Sequence, residues 1–126
     1  MSPDPEGDIT RLRDIAFRLP GTAEKLSHGM PCFFIDKGKT FAWYTHNHHG
    51  DGTSAVLVKT SGTEEQDMLI EADPETYFRP AYFGHAGWVG IRVDLPDADW
   101  DHLADRVETS WRIVAPRKLL EQRTDD

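Results

Sequence analysis

The chain has one cysteine, no long apolar run and no surplus of positive charge, and each shortage removes a class of protein. A single cysteine forms no intramolecular disulfide, so Cys32, in the apolar run Cys32-Phe33-Phe34-Ile35, reads as a reduced, buried small hydrophobe. No stretch approaches the roughly 18 apolar residues of a membrane span, and no membrane partner is expected. Residues 1–8 lack the basic region and apolar core of a signal peptide, which leaves the chain where it is made, in the cytoplasm. The net charge of −8 is far from the balance of a committed nucleic-acid binder, whose pI lies above about 9. Gly-x-Ser-x-Gly, Gly-x-Gly-x-x-Gly and Walker-type loops are also missing, and Ser27-His28 adjacency does not by itself make a nucleophile and base. No complete catalytic apparatus is visible, and no cofactor is implied.

What remains is an ordinary globular composition, 38% hydrophobic and 29% charged, in a length suited to one domain. Residues 1–8 and 121–126 are too polar to repay the entropy of ordering, so both ends are expected to be disordered around a single domain at 9–120. Asp8 can cap a helix carrying Ile9, Leu12, Ala16 and Leu19 on one stripe, ended by Pro20-Gly21. A turn-rich loop, Ser27–Pro31, leads to strands at Cys32–Asp36, Thr40–His46 and Ser54–Lys59, an antiparallel meander. Thr63-Glu-Glu-Gln66 matches a capping box opening a helix over 64–72. Val89, Ile91 and Val93 alternate as a strand does, and a last helix runs from Asp97 or Asp99 to about Val114, closed by Pro116. The order α-β-β-β-α-β(β)-α gives an α+β two-layer sandwich, an antiparallel sheet with helices on one face.

Three groups of residues carry the candidate chemistry. Tyr82-Phe-Gly-His-Ala-Gly-Trp-Val-Gly90 packs three glycines among aromatics, the mark of a special turn, a close backbone approach or a recess. A recess would be lined by His28, Arg79, Tyr82, His85, Trp88 and Lys118, aromatic faces holding a planar ligand and a cation fixing an anion. The alternative makes Trp88 and Phe83 core, with the glycines letting the strand pass under a helix. His46, His48, His49 and Asp51 have the spacing of a surface zinc, nickel or copper site, or of a polar hairpin loop. Arg11, Arg13, Arg18, Lys25, Lys37 and Lys39 concentrate positive charge in the first third, with Arg112, Arg117 and Lys118 as further cations near the end, so the surface can be polarised.

Several motifs in order resemble the MmcQ/YjbR family over about residues 9–120: Leu19-Pro-Gly21, His28-Gly-Met-Pro-Cys-Phe33, Lys39-Thr-Phe-Ala42 and Ala72-Asp-Pro74, then Tyr82-Phe-Gly-His85 with Gly87-Trp-Val-Gly90, and Trp111 followed by Val114-Ala-Pro-Arg-Lys-Leu119. The resemblance implies a small bacterial α/β domain related to the secretion-chaperone fold. It also implies DNA as a partner through a double-wing surface, with Arg11, Arg13, Arg18, Lys37 and Lys39 as the cations to meet it, or else a protein partner or self-association. The loop most like a wing, Thr45–Thr53, has three histidines and an aspartate with no lysine or arginine.

Overall fold

A computed structural model describes residues 4–46, 52–81 and 86–124. Helix α1 is Pro5–Phe17, followed by strands β1 (Thr22–Ser27), β2 (Met30–Ile35), β3 (Thr40–His46) and β4 (Ser54–Lys59). Helix α2 (Thr63–Ala72), β5 (Tyr77–Phe78), β6 (Trp88–Arg92), α3 (Trp100–Val114) and α4 (Arg117–Thr124) complete the order. The strands form one antiparallel sheet, β1-β2-β3-β4-β6-β5, so β6 enters between β4 and the short outer β5. Helices cover one face, as the order of elements in the sequence implied.

Under the helices lies the main core. Leu12 and Ala16 of α1 and Leu103, Val107 and Trp111 of α3 meet Phe33, Tyr44, Val56, Val58, Val89 and Ile91 of the sheet. Ser110 ties the layers together, because its hydroxyl donates to the Phe41 carbonyl at 2.6 Å and accepts from the Lys59 amide at 2.8 Å. Phe41 and Lys59 would be the next pair beyond Ala42↔Val58, so a helix hydroxyl bridges the ladder where β3 and β4 part.

The other face carries a second apolar row. Cys32↔Trp43, Trp43↔Leu57, Leu57↔Gly90 and Gly90↔Phe78 are successive cross-strand partners, opposite in parity to the core positions. Met30, Cys32, Trp43, Leu57 and Trp88 form a buried cluster there, with Phe78 packed against it. Cys32 is fully buried and unpaired, as its apolar run implied.

Several boundaries differ from the sequence expectation. Asp4, not Asp8, caps α1: its carboxylate accepts from Gly7 N at 3.1 Å, and Pro5 supplies a first-turn proline. Residues 5–8, expected outside the domain, are therefore the first turn of α1, and Asp8 instead accepts the Tyr44 hydroxyl at 2.9 Å. At the far end, residues 121–124, expected as tail, belong to α4, whose Leu119 and Leu120 pack on the core. Pro116 ends α3 and also begins α4 as the acceptor for the Leu119 and Leu120 amides.

The loop at 27–31 is a tight hairpin. His28 and Gly29 both have positive φ, 53° and 77°, the two-residue turn that matches strand twist, so β2 starts at Met30. Gln66 does not close a capping box. Glu65 reaches back to accept from Ser61 N at 2.8 Å, and Gln66, fully buried, turns inward to donate to the Trp88 carbonyl at 2.6 Å.

Candidate functional site

The proposed recess is not assembled from its described members. His28 is exposed in the β1–β2 turn, whereas Trp88 starts β6 at the opposite end of the strands, 8% exposed within the second apolar cluster. Arg79 is engaged by α2, its Nε donating to Gln66 Oε1 at 3.1 Å and its Nη2 to Asp67 at 2.5 Å. Lys118 projects from α4, exposed. Tyr82 and His85 lie outside the described residues, as does Phe83.

The glycines of this stretch have specific jobs. A Cβ at Gly90 would sit 2.2 Å from Phe78 Cζ, so the strand passes beneath an aromatic ring and not beneath a helix. Gly87, at φ +83°, places its Cβ position 3.1 Å from the Gly62 backbone, and its carbonyl accepts from the Thr60 hydroxyl at 2.6 Å. Close approach, one of the readings open from the sequence, is what Gly87 and Gly90 provide.

Of the histidine loop only His46 is described. It is exposed, with Nδ1 2.7 Å from Ser54 Oγ; His48, His49 and Asp51 lie outside the described residues. Among the described residues no three His, Cys, Asp or Glu side chains are grouped for a metal ion.

Arg79 lines a shallow hollow of about 430 Å³ with Asp67, Tyr77 and Phe78, and two further hollows lie elsewhere. One of about 200 Å³ opens between β5, β6 and the start of α3, where the Tyr77 hydroxyl is hydrogen-bonded to His102 Nε2. Burial raises the Tyr77 pKa, keeping its hydroxyl protonated. A neighbouring hollow of about 380 Å³ holds Asp4, Asp8, Asp94 and Arg11, and Arg11 stacks over the Trp100 ring at 5.2 Å. Burial raises the Asp8 pKa, although the Tyr44 hydrogen bond works against it. At Asp94 burial pushes upward, but the fork from Arg92, 3.1 Å to each oxygen, holds the net shift below the ordinary range. This end of the sandwich is acidic.

The opposite end gathers exposed positive charge. Gly21 sits at its centre: its carbonyl accepts from Asp36 N at 2.8 Å, and Leu119 Cδ1 of α4 lies 2.6 Å from where its Cβ would be. The end of α1, the turn between β2 and β3, and the start of α4 therefore converge, bringing Arg18, Lys37, Lys39, Arg117 and Lys118 to one end. Arg18 is paired with Asp14 and Arg117 with Glu121. Lys37, Lys39 and Lys118 are exposed and make no ion pair among the described residues. The five cations expected to act together are thus divided, since Arg11 is at the acidic end and Arg13 is held by both oxygens of Glu24 at 2.7 and 2.9 Å. Sequence pattern could not bring Lys118 to the end that holds Lys37, because a tertiary contact, Leu119 on Gly21, joins the two segments.

Glu65 and Glu108 report on the helices outside the main layer. Ser61 N, assisted by Arg106 at 3.6 Å, holds Glu65 below its usual pKa, and Arg123 followed by Arg112 does the same for Glu108, joining α4 to α3. A depressed carboxylate adds stability that is complete above its unfolded pKa, about 4.3 for Glu, and is lost as pH falls through the lower folded value. Thermal unfolding is therefore expected to weaken mainly below about pH 4.3, and Glu108→Gln should flatten that decline. An unchanged acid limb in Glu108→Gln would contradict it.

The fold and motif order agree with known proteins. The YjbR family model matches residues 17–113. A crystal structure of Deinococcus radiodurans protein DR2400, a DUF419 domain, is similar with a TM-score of 0.65 and 18% identity over 83% of this chain and 76% of that one, a likeness of fold. None of the curated proteins matches. With the family model covering most of the domain, the chain belongs to the YjbR (MmcQ/YjbR) family.

Proposed function

We propose that this is a small non-enzymatic binding domain that contacts the phosphate backbone of DNA through the end formed by Lys37, Lys39 and Lys118. The observation that carries this reading is the convergence of three exposed lysines, without ion pairs among the described residues, in a chain where eight other cations are held by its own carboxylates. Phosphate contacts position a duplex without reading its sequence, so the binding is weak and sequence-independent. The acidic hollow at the opposite end limits the contact to one end of the molecule. About three phosphate contacts correspond to a log–log salt slope of about −3. Fluorescence anisotropy with a labelled duplex should give that slope, and Lys37→Ala/Lys39→Ala/Lys118→Ala should remove most of it. Absence of binding by the wild-type protein at low salt would contradict the reading.

A protein-interaction module is the second reading, favoured by a different feature. β1 is a six-residue edge strand with no further strand beside it among the described residues, and such edges invite pairing.

A further inference from the structure

The β1 edge presents more than free backbone. The two-residue turn makes Ser27↔Met30 the closing hydrogen-bonded pair of the hairpin, and alternation then turns the N–H and C=O of Glu24 and Leu26 outward. Leu26 is the most exposed large hydrophobic residue described, at 72%, and Phe17 of α1 is 49% exposed. They share a face. Glu24 and Leu26 have the same parity, Arg13 of α1 holds Glu24, and Phe17, one turn after Arg13, sets its ring edge-on to Phe33, the cross-strand partner of Glu24. The opposite edge, β5, has only two residues, so β1 is the long open edge of the described sheet.

The unpaired charge along this edge is positive. The strand's one carboxylate, Glu24, is neutralised by Arg13, while Lys25 on the strand, its ammonium 4.9 Å from the Phe34 ring centre, and Lys37 and Lys39 in the turn beside Thr22 are exposed without ion pairs among the described residues. Asp36 is the one acid among them. A second copy pairing antiparallel through Glu24 and Leu26 would set its Lys25 directly opposite this Lys25, like charges that oppose the pairing.

We propose that β1 is the docking edge for an extended acidic segment of a partner protein, which adds a strand to the sheet and places apolar residues, at every second position, over Leu26 and Phe17. Main-chain hydrogen bonds to Glu24 and Leu26 supply affinity, and the lysines select acidic side chains in between. The proposal rests on the interaction reading and names its partner chemistry.

The test uses a fluorescein-labelled octapeptide of alternating valine and glutamate, a lysine/valine counterpart, and the full-length protein. The acidic peptide should bind at least tenfold more tightly than the basic one, and Leu26→Asp, at an exposed position that leaves the fold intact by circular dichroism, should weaken it at least tenfold. Amide exchange at Glu24 and Leu26 should slow on binding, a readout that a non-specific charge contact would not move. Equal binding of the two peptides would overturn the acidic assignment while leaving the interaction reading standing. If neither peptide binds and the β1 amides exchange unchanged, both fail. A dimer in sedimentation that Leu26→Asp dissociates would give the edge to a second copy and overturn the proposal.

Discussion

Trp88→Ala is expected to lower folding stability by about 3–5 kcal/mol, the range for truncating a buried large aromatic. The ring is 8% exposed among Met30, Cys32, Trp43 and Leu57, on the face of the sheet away from the main core, so its removal opens a cavity that Cys32 and Leu57 cannot fill. The carbonyl of the same residue accepts from buried Gln66, which anchors α2, so disturbance at Trp88 also loosens that helix. Urea unfolding followed by circular dichroism measures the loss. A change below about 1 kcal/mol would mean that the ring is not scaffold, and would return Trp88 to the wall of a binding recess.

Gly90→Val should cost about 3 kcal/mol, at the upper end of overpacking penalties. Phe78 Cζ, Cε1 and Cε2 all lie within 2.6 Å of the position a Cβ would take, and Phe78 is the direct cross-strand partner of Gly90. An aromatic ring laid across a glycine in a pleated sheet compensates for the missing side chain. The ring has somewhere to go only by leaving the second cluster. Phe78→Ala relieves the clash, so the double variant should be less destabilised than the sum of the two single changes, a coupling that the unfolding cycle isolates. Strict additivity would show that the ring does not occupy this position in solution.

These two residues show how far the sequence could be read. Three glycines among aromatics left a special turn, a close backbone approach or a recess open, and Gly87 and Gly90 provide close approach, to Gly62 and Phe78, which only tertiary structure brings near. The stripes of α1 and α3 were legible because each buries one face against a continuous core, and the apolar positions Val89, Ile91 and Val93 marked β6. β1 escaped notice for the converse reason. As an edge strand its residues are half-covered or exposed throughout, so Thr22–Ser27 has no alternation to display. α4 buries only part of Leu119 and Leu120, and β5 is two residues long. The described members of the recess lie apart because residue type does not reveal conformation: His28 is a turn residue at positive φ, and Arg79 is held by Gln66 and Asp67, while Tyr82 and His85 lie outside the described residues. Charge could not be placed from the sequence either, since Arg11 lies beside Asp4 and Asp8 and Arg13 is held by Glu24, away from Lys37 and Lys39.

The central claim, that a basic end built from Lys37, Lys39 and Lys118 meets nucleic-acid phosphate, is tested most directly by amide chemical-shift mapping of the 15N-labelled protein during titration with duplex DNA at low salt. The account predicts shifts concentrated at Arg18–Gly21, Asp36–Lys39 and Arg117–Leu119, fading as salt is raised. Shifts centred on the Thr45–Thr53 loop, or a spectrum unchanged by saturating duplex, would contradict it.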